Sequence, residues 1–520
     1  MPLAFPILIL LIAVVIMLII RLLRAEFAYH WLVATVGSFT ALPMIFFIGT
    51  QLPQTDSLIA WKPENLFPSP LILTADQISW PYAVGLITLV VALMLTEVAR
   101  AAEARWSAWA AGLLLGALGV WAILAGNPLT LLVAWTAIDL VDFLLLFSQK
   151  IPSEMGERVV VAFTVRILGR GMLLAAILLN STEGFDWTFA AIPSQATTLL
   201  LVAVGMRLGV LPAYMPMIRE SVSRRGLGSM IYLVSAAGCL VLLNRTAYFV
   251  ESPTTFTLLL VFVSLSAIYA GLSWVLAGDE LEGAPAWILG MSSLSAAATM
   301  LAEPVASQAW GIAVLLAGGL IFYTSALERR MVWLPLLGLL GISALPFTPT
   351  WNGALMYAPP YNIILIIFIL TQVLFMYGYI KHALRTREGL TGVERWVWLI
   401  YPLGLVLLPI LHFIYGWTTL VEFENLLPAS WWLGIVAALF TALFVGITRF
   451  VPEISLERVA FLDSLFSMKW LYRLIWVVIR TVESVIQFST TILQGEGGVL
   501  WAFLMLLVLI LVFVALLGGI

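Results

Sequence analysis

The chain has very few charged residues. Of its 520 residues, 62% are apolar and only 10% are Asp, Glu, Lys or Arg. Because a soluble domain carries about 25% charged residues, this chain cannot build a solvated surface. Most of it must be surrounded by lipid or by other apolar protein. The composition therefore excludes a soluble globular protein and predicts the lipid bilayer as the main partner.

The chain also has no excess of basic residues and very few cysteines and histidines. The net charge is −3, so nothing indicates nucleic acid as a partner. One Cys and three His exclude a Cys-rich metal or iron–sulfur site within the chain, and we expect no cofactor and no catalytic site of its own. Cys239 lies in an apolar run, which is typical of a small core residue.

Long apolar runs are what the chain has instead. About 20 apolar residues cross a bilayer as a helix. The first run lacks a preceding basic region and a small-residue cleavage site, so we expect a retained span rather than a signal peptide. Sixteen spans are predicted, at 5–21, 30–50, 79–97, 107–125, 128–147, 159–180, 197–216, 227–244, 255–277, 285–302, 308–326, 332–348, 360–380, 396–416, 430–449 and 498–518.

Basic residues are distributed unequally between the loops. Loops after even-numbered spans hold only Lys62 and Arg245, whereas loops after odd-numbered spans hold sixteen Lys or Arg residues. Such a bias places the odd-numbered ends in the cytoplasm. We therefore expect the inner membrane of a prokaryote, with both termini on the outer side. The acidic loop 279–282, after span nine, departs from the trend.

The stretch before the last span has a different pattern. Residues 455–493 carry Lys469, Arg473, Arg480 and Glu483 at helical spacing, with apolar residues on the other faces. This pattern predicts an amphipathic helix that lies along the cytoplasmic surface. Two roles stay open for it, a surface anchor and a brace against neighbouring subunits.

Ionisable residues occur inside three consecutive spans. Asp139 and Asp142 lie three apart in span five, Arg166 and Arg170 lie four apart in span six, and Arg207 lies in span seven. Charges at membrane depth must face the protein interior and pair with one another. The sequence predicts an ion-pair network of these residues. An ion or proton path and a structural lock between helices both fit it, although arginine cannot release a proton.

Prolines recur at matched places in two spans. Span seven contains Pro212 and Pro216, and span twelve contains Pro346 and Pro349. Proline inside a helix frees a carbonyl group and interrupts the helix. Each interrupted helix would be fourth in a unit of five spans, and the two units would start with opposite orientation. Inverted repeats with broken helices indicate a transporter-like architecture, with packing kinks as the alternative.

These patterns together predict an all-α integral membrane protein with about sixteen transmembrane helices, two inverted five-helix repeats, broken helices seven and twelve, and a lateral amphipathic helix. Its predicted segments are spans one to three (1–106), the first repeat of spans four to eight (107–246), the second repeat of spans nine to thirteen (247–380), spans fourteen and fifteen (381–450), the lateral helix (451–497) and the last span (498–520).

The order and spacing of several motifs resemble a known family across roughly residues 70–390. It comprises the antiporter-like proton-channel subunits of respiratory complex I, the Mrp-type sodium/proton antiporters and the membrane-bound hydrogenases. The resemblance is carried by Asp76 and Ser79 before span three, Trp135 in span five, the 205–216 run in span seven, the 265–298 stretch and the interrupted 339–353 segment. Sixteen spans with a lateral helix before the last also resemble the most distal of the complex I subunits.

The titratable residues of the family are mostly replaced. The span-five glutamate position is Thr136, with Asp139 one turn on, and the span-seven lysine is Arg207. The span-eight lysine falls near Ala236, the basic position of span eleven falls in the apolar run 311–314, and the lysine after the twelfth-helix break falls near Gly353. The family's Asp-Leu-Lys-Arg loop corresponds to the acidic 279–282. The usual Glu/Lys relay therefore does not transfer residue by residue.

The resemblance implies a membrane-arm subunit of a complex I-like or related energy-converting complex, which assembles with other membrane subunits. It would take part in proton or cation translocation or serve as a scaffold for it. A stand-alone cation/proton antiporter of the same fold is the alternative and requires titratable carboxylates, for which Asp139 and Asp142 are the candidates. A membrane enzyme acting on lipid or quinone is a third, with only scattered His30, His382 and His412 to support it.

Overall fold

The computed structural model describes most of the chain, and its contacts divide the chain into two units, Met1–Phe466 and Ser467–Ile520. The described residues are 2–59, 70–99, 106–147, 153–182, 189, 194–215, 225–246, 253–326, 328–358, 363–385, 387, 389–390, 392–419, 431–448, 469–493 and 496–517.

The first unit is built from α-helices that overlap the predicted spans one by one, with earlier ends in α7 and α12. They are α1 Phe5–Leu23, α2 His30–Ile48, α3 Ser79–Thr96, α4 Trp106–Ile123, α5 Pro128–Phe147, α6 Ser153–Thr182, α7 Ser194–Leu208, α8 Arg225–Arg245, α9 Pro253–Leu276, α10 Ala284–Met300, α11 Pro304–Tyr323, α12 Trp333–Leu340, α13 Ile363–Ala383, α14 Val397–Thr418 and α15 Trp431–Thr448. Short 3-10 helices occupy Gly49–Gln51, Arg329–Met331 and Trp351–Tyr357.

Eleven of the described helices are at least 18 residues long and apolar enough to cross a bilayer. Helices are favoured there because each one satisfies its own backbone hydrogen bonds without water. The most deeply buried helices include α3, α8, α10 and α11. Tyr82 on α3, Trp287 on α10 and Trp310 on α11 are large side chains in the core. The chain is thus a multi-pass membrane protein of all-α class.

The second unit contains α16 Lys469–Leu493 and α17 Glu496–Leu517. In α16, Arg473, Arg480 and Glu483 follow one another at helical spacing, and apolar side chains such as Leu474 and Val478 are exposed on the same helix. The predicted amphipathic pattern therefore falls on a helix over 469–493, and the predicted part before residue 469 lies outside the described residues.

A small β-hairpin, absent from the sequence prediction, connects α2 and α3. Strands β1 Gln54–Ile59 and β2 Leu71–Ala75 pair antiparallel, with Thr55 opposite Thr74. The N–H of Thr74 donates to the carbonyl of Leu124 at 2.7 Å, and Gly126 donates to Ile72 at 2.8 Å. The hairpin is thereby fastened to the end of α4.

Helix α7 ends earlier than the predicted span 197–216. It stops at Leu208, where Gly209 takes a left-handed φ of 79°, and the N–H groups of Val210 and Leu211 both donate to the carbonyl of Gly205. A left-handed glycine is a common way to end a helix. Pro212 therefore follows the helix within a turn, and Pro216 lies outside the described residues.

The second break lies between α12 and the 3-10 helix Trp351–Tyr357. Helix α12 ends at Leu340, so Pro346 and Pro349 lie in the connecting loop rather than inside a helix as the predicted span 332–348 implied. Two carbonyl groups freed by the break, those of Ile342 and Ser343, accept hydrogen bonds from Gln372 Nε2 at 3.3 and 2.9 Å. A buried side chain of α13 thus replaces the missing helical hydrogen bonds.

Several contacts join loops that are far apart in sequence. Asp76, before α3, pairs with Arg245 at the end of α8, and Glu280, after α9, pairs with Arg387 after α13. The first pair joins two loops after even-numbered spans, and the second joins two loops after odd-numbered spans. Each pair therefore lies at a single end of the helix bundle, as alternating directions of the helices from α3 to α8 and from α10 to α13 require.

Candidate functional site

Five charged side chains from three consecutive helices meet inside the first unit. Helix α5 contributes Asp139 and Asp142, α6 contributes Arg166 and Arg170, and α7 contributes Arg207. The spacings of three and four residues put each pair on one helix face. These five side chains, called the Arg–Asp cluster below, are the ones that the sequence singled out.

Arg207 and Asp139 form the pair of the cluster that is joined by two hydrogen bonds. Arg207 Nη1 donates to Asp139 Oδ2 at 2.7 Å, and Nη2 donates to Oδ1 at 2.9 Å. Both side chains are buried, with relative exposures of 0% and 1%. The guanidinium also lies 4.5 Å from the centre of the Trp135 ring. This geometry uses the planar, two-pronged shape of arginine, which lysine does not have.

Arg166 and Arg170 complete the cluster from α6. Arg166 Nη1 lies 2.8 Å from Asp142 Oδ2 and 3.4 Å from Asp139 Oδ1. Arg170 Nε lies 3.3 Å from Asp139 Oδ2. Asp139 is thus shared by three guanidinium groups, whereas Asp142 faces one. With three positive and two negative charges, the cluster has a net charge of +1.

The cluster is suited to holding helices together rather than to exchanging protons. Arginine stays protonated in proteins, so none of the three basic groups can load and release a proton. Both oxygens of Asp139 accept hydrogen bonds from Arg207, which favours its charged form. Asp142 differs, because its Oδ1 is buried and has no hydrogen-bond partner among the described residues. Asp142 is therefore the carboxylate of the cluster with one oxygen available to accept a further hydrogen bond.

The remaining positions of the resemblance hold no charge. Thr136, at the glutamate position, is exposed and donates to the carbonyl of Leu132 in its own helix. Ser235 and Ala236 are buried on α8, and the run 311–314 is buried and apolar. The carbonyl of Gly353 accepts a hydrogen bond from Trp310 Nε1 at 3.2 Å. Except at the exposed Thr136, close packing therefore occupies the places where the resemblance implies titratable groups.

A chain of hydroxyl groups between α10 and α11 was missed by sequence reasoning. Ser307 Oγ lies 2.9 Å from Ser295 Oγ and 2.8 Å from Thr299 Oγ1, and all three residues are buried. The seryl residues of 292–295 were the available signal, but small hydroxyl residues are common wherever membrane helices pack closely. These hydroxyl groups can form hydrogen bonds between the two helices, but they do not ionise.

Two charged clusters outside the spans were not predicted as clusters, although the sequence had pointed to Asp76 and to the acidic loop 279–282 separately. Glu280 is fully buried after α9, where its carboxylate lies 3.3 Å from Arg387 Nη2 and 3.5 Å from Arg385 Nη1. Two of the three carboxylates of the acidic loop 279–282, those of Asp279 and Glu280, therefore pair with arginines more than 100 positions away. At the other end, Asp76 Oδ1 accepts from the N–H groups of Ile78 and Ser79 at the start of α3.

No protein-family model and no curated protein matches this sequence. Many solved structures are similar in fold, among them three with low sequence identity. A chain of the membrane-bound sulfane sulfur reductase, an archaeal respiratory membrane complex, is 15% identical with a TM-score of 0.69, and the match covers 98% of this chain and 99% of that chain.

The second similar structure is a chain of the Mrp complex from Dietzia sp. DQ12-45-1b, at 14% identity and a TM-score of 0.72. That match covers 99% of this chain, which spans 63% of the Mrp chain's length. The third is a chain of respiratory complex I from Thermus thermophilus, at 16% identity and a TM-score of 0.58, covering 79% of this chain and 97% of that chain. The protein therefore shares the all-α fold of chains from these three complexes.

Proposed function

We propose that this chain is a membrane subunit of a multi-subunit complex that moves protons or other cations, and that its Arg–Asp cluster locks α5, α6 and α7 together. The observation that carries the second part is the two-pronged bond from Arg207 to Asp139, to which Arg166 adds its contacts with Asp139 and Asp142. The end-to-end likeness to a chain of an archaeal respiratory membrane complex supports the first part.

The origin of the similar structures supports a location as well. They come from an archaeon, from Dietzia and from Thermus thermophilus, so we assign the chain to the cell membrane of a prokaryote. The loop charges favour both termini on the outer side. The grouping into two inverted five-helix units, 107–246 and 247–380, stays a prediction, which the breaks after α7 and α12 support.

Substituting Asp139 tests the role of the cluster. In Asp139→Asn, three guanidinium groups lose their shared carboxylate, and breaking a buried pair costs about 3–5 kcal/mol. We expect less assembled complex and a lower midpoint of thermal unfolding, with an unchanged proton flux per assembled complex in proteoliposomes. Thr136→Ala, on the exposed face of the same helix, is the matched control and should alter neither quantity. Normal assembly with abolished flux would contradict the structural role.

A stand-alone cation/proton antiporter is the second candidate, because no hydrogen-bond partner of Asp142 Oδ1 lies in the part of the chain that the structure describes. An antiporter needs a carboxylate that binds a proton and a cation in turn. The chain purified alone would then dissipate a pH gradient in liposomes when sodium or potassium is added, and Asp142→Asn would abolish that exchange. We expect no exchange by the chain alone. Exchange that depends on Asp142 would replace our proposal by this one.

A further inference from the structure

Arg170 differs from the other members of the Arg–Asp cluster. Its side chain is 18% exposed, whereas the other four are at most 4% exposed. Its one charged contact among the described residues is Nε to Asp139 Oδ2 at 3.3 Å. Arg207 Nη1 already binds the same oxygen at 2.7 Å. Arg170 is thus the cation with the weakest internal pairing and the greatest access to the surroundings.

The charge balance of the cluster calls for one more anion. Three arginines face two aspartates, and Arg170 lies near the middle of the predicted span 159–180. An uncompensated charge at that depth is strongly unfavourable. At about 1.5 Å per residue, each end of the span is roughly 15 Å away, so a lipid phosphate at the bilayer surface is out of reach. A carboxylate on a transmembrane helix of another protein can lie at the depth of Arg170.

The surface beside Arg170 is open and apolar. Ile167, Leu174 and Leu178 are 53%, 38% and 55% exposed on the same helix. A Cβ atom added at Gly171 would meet no atom of the described residues within 4 Å. These four residues together with Arg170 form the α6 face. Its apolar side chains suit close packing against another membrane helix, and Arg170 at its border supplies one specific polar contact.

We propose that the α6 face binds a neighbouring membrane subunit, which contributes an aspartate or glutamate at bilayer depth to Arg170. The partner carboxylate would bring the net charge of the cluster from +1 to zero. This inference rests on the proposed function, because it requires that the chain be part of a membrane complex. It adds the place of contact and the chemistry of the partner.

The variant Arg170→Gln separates this role from an internal one. Without Arg170 the cluster has two arginines for two aspartates, and Asp139 keeps its two hydrogen bonds from Arg207. We expect the unfolding midpoint of the isolated chain to be unchanged or raised. In the native complex, loss of a buried charge pair should weaken binding of the neighbouring subunit at least about tenfold. A lowered midpoint with the subunit retained would overturn the inference.

Gly171→Trp tests the same face without changing any charge. The indole would occupy the open space in the isolated chain, whose unfolding midpoint should not change, but it would block a docked helix. Gly446→Trp on α15 is the matched control, because a Cβ there also meets no atom within 4 Å. The neighbouring subunit should be lost from the Gly171→Trp complex alone. Equal loss in both variants, or in neither, would count against the α6 face as the interface.

A photo-crosslinking residue at Leu174 identifies the partner's contribution. The crosslinked peptide, sequenced by mass spectrometry, should come from a membrane span that contains Asp or Glu. Exchanging the charges, with Arg170→Glu in this chain and that acid replaced by Arg, should restore binding that either single change abolishes. A crosslinked span without an acid, or no restoration by the exchange, would overturn the inference.

Chloride is the other anion that could balance Arg170. If chloride in place of gluconate raised the unfolding midpoint of the isolated chain, and Arg170→Gln removed that effect, a free ion would be the ligand and the inference would fail. Failure of the proposed function would look different, because no membrane subunit would then co-purify with the wild-type chain in mild detergent.

Discussion

At the scale of single residues, the choice of arginine at position 207 has chemical consequences. The resemblance implies lysine at this position, and lysine changes its protonation state readily when buried. Arg207 remains charged, bonds both oxygens of Asp139 and stacks on Trp135. One substitution thus exchanges a group that could carry a proton for one that fixes a carboxylate in place. This is why the cluster supports an interhelical lock.

The same geometry predicts the effect of Arg207→Lys. A single ammonium group cannot form two parallel hydrogen bonds to Asp139 and loses part of the contact with Trp135. We expect the free energy of unfolding to fall by about 1–3 kcal/mol, measured by circular dichroism during thermal unfolding in detergent. Arg21→Lys at an exposed helix end should leave stability unchanged. An unaltered midpoint in Arg207→Lys would argue against the two-pronged bond.

The five members of the cluster could be predicted from sequence because charges at membrane depth have few alternatives to pairing. Their individual roles could not. Arg166 and Arg170 both lie on α6, one turn apart, yet Arg166 is buried against Asp142 and Arg170 borders an exposed surface. That difference depends on how α6 is rotated against α5 and α7, which local sequence spacing does not determine.

At the scale of elements, long apolar runs predicted where helices lie, because a lipid environment leaves few other backbone structures. The ends were predicted less well. The interruption after α7 is set by the left-handed Gly209, before the proline on which the prediction relied. The loop after α12 is stabilised by Gln372, on another helix. The hairpin of β1 and β2 depends on pairing with the end of α4.

The cap of α3 is an element whose stability depends on pH. Burial raises the pKa of the Asp76 carboxyl, but the Arg245 guanidinium and the donors of Ser79 and Ile78 outweigh it and hold the pKa below its usual range. A lowered pKa means that the stabilising contribution is present above the ordinary carboxyl pKa of about 3.9 and is lost as the pH falls through the folded-state value.

We therefore expect Asp76→Asn to be less stable than the wild type at pH 7 and to approach it as the pH falls below about 4. Unfolding midpoints measured between about pH 3 and 7 would record the convergence. Arg245→Gln should flatten the same part of the curve, because it removes the charge that lowers the pKa of Asp76. Parallel curves for wild type and Asp76→Asn would show that the ion pair contributes nothing to stability.

At the scale of the whole molecule, long-range ion pairs explain a local anomaly of the sequence. The acidic loop 279–282 contradicts the positive-inside pattern when loops are counted one by one. In three dimensions Glu280 lies against Arg385 and Arg387, so this end of the bundle combines both charges. Loop charges should therefore be summed over one end of the bundle rather than over single loops. Summed in this way, the acidic loop 279–282 does not contradict the even–odd alternation of basic residues.

The alternation makes a prediction about the whole path of the chain through the membrane. Glu26 follows span one, Ser57 follows span two and Leu384 follows span thirteen, and all three side chains are exposed. In single-cysteine variants at these positions, an impermeant maleimide should label Glu26→Cys and Leu384→Cys in inverted vesicles and Ser57→Cys in right-side-out vesicles. Native Cys239 is buried and should contribute little background. Labelling of Glu26→Cys and Leu384→Cys from opposite sides would refute the number of spans between them, whereas labelling of both from the outer side would refute the orientation alone.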